Sequence, residues 1–103
     1  MDTAQQDLTG SAQKLLADLE LIERYGDRFS YSELMDAVRR TQPILDGLME
    51  QAPGGEALTL AGTARSELQR VLLDPNSLTE GLIVVILMIC RSALRQLLAA
   101  SES

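Results

Sequence analysis

Leu82-Ile83-Val84-Val85-Ile86-Leu87-Met88-Ile89-Cys90 is a run of nine apolar residues with no polar break. Its reading decides the fold. As a membrane span it is short: nine helical residues rise about 14 Å, against a hydrocarbon core of about 30 Å. Arg91 and Arg95 follow directly. As a buried strand it has suitable β-branched content. The flanks favour a helix. Ser77-Leu78-Thr79-Glu80 before the run has the form of a capping box, and the Ala- and Leu-rich residues 93–100 after it are good helix formers.

A helix that is apolar on every side has to be covered on every side. Ile83, Leu87, Cys90, Leu94 and Leu97 recur at spacings of four and three and form one stripe. Leu82, Ile86 and Ile89 form a second. Val84, Val85 and Met88 remain, on the side that continues into Arg91 and Arg95. Either the first helix of the chain wraps this side, or it is an exposed apolar patch of the kind that marks an interface. On the second reading Val84, Val85, Met88, Arg91 and Arg95 are candidate protein-interface residues, and dimerisation completes the bundle.

Working outward, residues 3–25 predict a helix, with Leu8, Ala12, Leu15, Leu16, Leu19 and Ile22 on one face. Gly26 is expected to close it in a left-handed conformation. Ser30-Tyr31-Ser32-Glu33 is a capping box that opens a second helix over residues 30–51. Pro43 lies inside that helix and predicts a kink, because proline lacks the N–H and crowds the preceding turn. Residues 52–57, Ala-Pro-Gly-Gly-Glu-Ala, form a loop. A third helix is expected over 59–73 and a fourth over 77–100. The fold class is therefore all-α: one domain, residues 1–103, built as a small bundle of about four helices. Scarce aromatics (3%) and no Trp agree with a core of aliphatic side chains packed between helices.

All three aromatics, Tyr25, Phe29 and Tyr31, fall within seven residues, with Arg24 and Arg28 among them. They read as a plug over one end of the bundle or, with the arginines, as interface anchors. Ile22-Glu-Arg-Tyr-Gly26-Asp27 resembles the core of a BH3 motif over six residues. One turn earlier, where that motif has an apolar anchor, stands Asp18. The local reading of Gly26-Asp27 is a helix stop.

The residues speak against catalysis. There is no His, which removes the commonest general base and metal ligand, and one Cys cannot build a cysteine zinc site. Ser11-Ala-Gln-Lys14 has the S-x-x-K spacing of penicillin-recognising enzymes without their companion motifs. Gly54-Gly55 lacks the Lys-Ser/Thr of a phosphate loop. Glu20, Glu23 and Asp27 read as a solvated acidic face. No cofactor and no metal are expected.

Net charge is −6, with 11 acids and 5 bases in residues 1–56 and 4 of each in 57–103. Such a chain is a poor match for nucleic acid. MDTAQQDLTG at the start has no basic segment followed by an apolar one, so no signal peptide is expected. A lone apolar-flanked Cys points to the cytoplasm, and no membrane partner is expected. The 8 Arg to 1 Lys skew suggests a bacterial source. The expected function is non-catalytic regulation by protein–protein binding, as by an anti-activator that sequesters a transcription regulator, with a homodimer likewise expected. The alternative is a small acidic chaperone or adaptor for a secreted or assembling protein.

Overall fold

The computed structural model describes residues 2–52, 54–74, 76 and 78–102, with side chains described between residues 8 and 100 of these. Four helices follow one another: α1 (Asp2–Tyr25), α2 (Tyr31–Gln51), α3 (Glu56–Leu73) and α4 (Glu80–Glu102), with a 3-10 turn, Gly26–Arg28, between the first two. No strand occurs among the described residues. The molecule measures 38 × 22 × 20 Å. A 24-residue helix rises about 36 Å, so each long helix spans the full length and the chain reverses at every short connection. Neighbours are therefore antiparallel. α1 and α3 each pack against both α2 and α4, and α2 and α4 touch directly across the centre.

The core is aliphatic. Leu15, Leu19 and Ile22 of α1 meet Leu34, Val38 and Leu45 of α2, Leu68 and Val71 of α3, and the inner stripe of α4. Gly47 permits one close approach: a Cβ there would stand 3.0 Å from Cδ2 of Leu8. Thr41, the one buried polar residue among those described, donates its hydroxyl to the Ala37 carbonyl at 2.7 Å.

The capping box at Ser30 forms in full. The Glu33 N–H donates to Ser30 Oγ at 3.2 Å, and the Ser30 N–H donates to Glu33 Oε1 at 3.0 Å. The Ser30 backbone bond, and then its hydroxyl, hold the Glu33 carboxyl below its ordinary range. A depressed carboxyl pKa contributes stability that is present above the unfolded value and lost as pH falls through the folded one. Ser30→Ala is expected to destabilise the protein by roughly 1 kcal/mol. An unchanged midpoint in urea would contradict the cap.

Three expectations are corrected. Gly26 does not take a left-handed conformation: among the described residues only Gly54 and Gly55 have positive φ, at 115° and 99°. Instead α1 tightens into the 3-10 turn, closed by the Phe29 N–H on the Gly26 carbonyl. α3 begins at Glu56, a turn before residue 59, because Gly55 takes the N-cap backbone that other residues resist. α4 begins at Glu80 rather than 77. Thr79 is the residue that caps it: its Oγ1 accepts the Leu82 N–H at 3.2 Å and its carbonyl accepts the Ile83 N–H. Ser77 lies outside the described residues. α2 runs as one helix through Pro43.

Candidate protein-interaction surface

α4 is the most apolar helix, and its environment differs around its circumference. Ile83, Leu87, Cys90, Leu94 and Leu97 are all buried, and Ile86 joins them. Burial raises the Cys90 thiol to about 12, so it is packing and not a nucleophile at neutral pH.

The side that bears Val84 and Arg91 is taken up by α1. Val84 and Met88 are half-buried and pack on the core. A Cβ on Gly26 would lie 3.5 Å from Cγ2 of Val84, so the chain at the end of α1 runs directly over that valine. The Arg91 guanidinium donates to Glu23, and to Glu20 Oε1 at 3.4 Å. Its side chain is only 21% exposed. The acids that read as a solvated face on α1 thus meet their base on α4. The placement of Arg91 is internal to the fold, whereas Val85 (53% exposed) and Arg95 point outward. Half-exposed acids limit the worth of this cluster. Arg91→Met is expected to lose about 0.5–1 kcal/mol, and that loss to shrink as salt screens the pair. Thermal unfolding of both chains at two salt concentrations checks both.

The aromatics divide. Phe29 and Tyr31 are half-buried against the core, under the α1–α2 turn. Tyr25 is exposed, and the Arg28 guanidinium lies 5.6 Å from its ring centre. The structure brings Tyr25 to the same end of the bundle as the first turns of α4, because α1 ends where α4 begins.

Two features lay outside the reach of sequence reasoning. First, the large apolar side chains that stay exposed are Leu21, Tyr25, Leu73, Leu82 and Val85. The antiparallel order puts all five in one half of the molecule: two near the end of α1, one at the end of α3 (85% exposed) and two at the start of α4. Second, a groove runs between α1 and α2. It has two hollows of about 430 and 670 Å³, one over Leu21, Ile22 and Phe29, the other over Leu8, Pro43 and Ile44. Asp18 and Arg40 line both and are ion-paired at 2.9 Å between them.

Glu80–Ala100 is long and apolar enough to cross a membrane by length and composition, a test that the nine-residue run alone fails. In this fold 44% of its most apolar 18-residue stretch is buried inside the bundle. Among the described residues no three His, Cys, Asp or Glu side chains gather to hold a metal ion. No protein-family model, no curated protein and no solved structure matches the chain.

Proposed function

We propose that this protein is a small non-catalytic regulator that works by binding another protein, sequestering it as an anti-activator sequesters a transcription factor. The observation that carries this reading is that the large apolar side chains left exposed among the described residues, Leu21, Tyr25, Leu73, Leu82 and Val85, all lie in the same half of the bundle. Single exposed apolar residues are ordinary, but five large ones confined to one half of a small domain leave apolar area there for a partner. Tyr25 with Arg28 on its face adds the residue types that anchor interfaces. The reading places the protein in a bacterial cytoplasm as a homodimer with a foreign partner, and assigns it no nucleic-acid or membrane partner and no cofactor.

The second reading, a chaperone or adaptor, draws support from the α1–α2 groove. Its apolar floor and mixed rim of Lys14, Asp18, Asp36 and Arg40 suit an amphipathic segment of a client. A bend of α2 at Pro43 belongs to this reading. Pro43 leaves the Arg39 carbonyl without its helical partner, and the Thr41 hydroxyl already bonds back along the helix.

Affinity capture from the native cytoplasm, quantified by mass spectrometry, separates the readings. A transcription regulator retained by the wild-type chain and released by Leu73→Asp supports the first. A secretion or assembly client released by Ile44→Asp supports the second. Equal capture by all three chains contradicts both.

A further inference from the structure

The outer face of α4 has a pattern that the exposed end does not exhaust. Gly81, Val85, Met88 and Ser92 follow one another at spacings of four, three and four, the repeat of a helix that pairs with another helix. Gly81, Val85 and Ser92 are exposed and Met88 is half-buried. No acid occurs between Glu80 and Glu102, in a chain with 15 acids and a net charge of −6. Two copies of so acidic a chain repel each other over most approaches, and this acid-free face is where they meet at least cost.

We propose that a second copy of this chain covers the outer face of α4, with the two α4 helices antiparallel; this rests on the self-association included in the function proposed above. Charge decides the direction. Arg95 stands on the outer face and Glu80 in the first turn, and both are exposed, with no ion pair to either among the described residues. In a parallel pair Arg95 would face Arg95. In an antiparallel pair with Val85 opposite Met88 of the second copy, Arg95 comes level with residue 78, about half a turn from Glu80 at the start of the other helix. The two-fold axis makes that contact twice. The same register sets Gly81 opposite Ser92, so the backbones approach closely at both ends of the contact. It also brings Leu82 within one turn of Ile89 of the other copy, on the flank opposite the charges. An apolar centre with charges at its rim is the ordinary anatomy of an interface.

Sedimentation equilibrium of the full chain tests this. The wild type is expected to be a dimer at micromolar concentration. Val85→Glu is expected to raise the dissociation constant about 100-fold or more, with helical circular dichroism unchanged, since the site is half-exposed in the single chain. Ser92→Glu, at an exposed polar position, gives the same reading should Val85→Glu disturb the helix. Glu80→Arg and Arg95→Glu each weaken association about tenfold, and the two together in one chain restore it. A dimer that survives both glutamate variants overturns the α4 pairing and leaves self-association through another face. Charge reversals without effect, or without mutual rescue, overturn the antiparallel direction. A wild-type chain that is monomeric at about 100 µM overturns dimer and pairing together. Adsorption of that monomer to phosphatidylcholine vesicles would assign the face to a lipid surface, with the foreign-partner reading still open to capture.

Discussion

Ile86→Ala is expected to cost about 2–5 kcal/mol of folding stability. Ile86 is 3% exposed, in the helix that packs against all three others. Truncation removes three carbons from contact with the core, and helices pinned at both ends by short connections close the void only in part. The cost is thus the lost burial plus the cavity. Urea unfolding measures it directly. A loss under about 1 kcal/mol would show that the helices settle into the space and that α4 is not the centre of the packing.

The second large effect appears in alkali. The Cys90 thiol is raised by burial from 9.0 to about 12. An acid whose folded pKa lies above its unfolded one leaves stability intact below the unfolded value. That stability is then lost as pH climbs through the folded value. Between about pH 9 and 12 this one group costs about 1.4 kcal/mol per pH unit, roughly 4 kcal/mol in full. Other groups titrate in the same window, so the test is the difference between slopes. Cys90→Ala is expected to lose stability with pH less steeply than the wild type by that amount. Parallel slopes would mean that the thiolate is solvated in the folded chain. At neutral pH, a disulfide reagent is expected to label Cys90 only as fast as the protein opens.

Local features carried well from sequence to structure where the information is local. The Ser30–Glu33 box depends on four consecutive residues, and it forms. The stripe of Ile83, Leu87, Cys90, Leu94 and Leu97 depends on period alone, and it is buried. The rotation of α4 in the bundle was not legible in the same way. A helix apolar on all sides has no periodic contrast to say which side meets which neighbour. The contrast lies elsewhere, in Glu20 and Glu23 of α1, three residues apart, facing Arg91 across 68 to 71 residues of sequence. Read alone they are a solvated acidic face; only the packing joins them to their base. Capping at Thr79 was missed for another reason. Ser77 and Thr79 are both good N-cap types, and nothing in the local string chooses between helices that start two residues apart. The gathering of Leu21, Leu73 and Leu82 requires the antiparallel order of three helices and is invisible along the chain.

Methyl-labelled protein bound to its captured partner gives the most direct measurement of the central claim, that the protein acts through its exposed apolar end. Methyl resonances of Leu21 and Leu73 are expected to shift on binding, while those of Leu60 and Leu98, toward the opposite end, stay in place. Shifts confined to Leu60 and Leu98, with Leu21 and Leu73 unmoved, would contradict it.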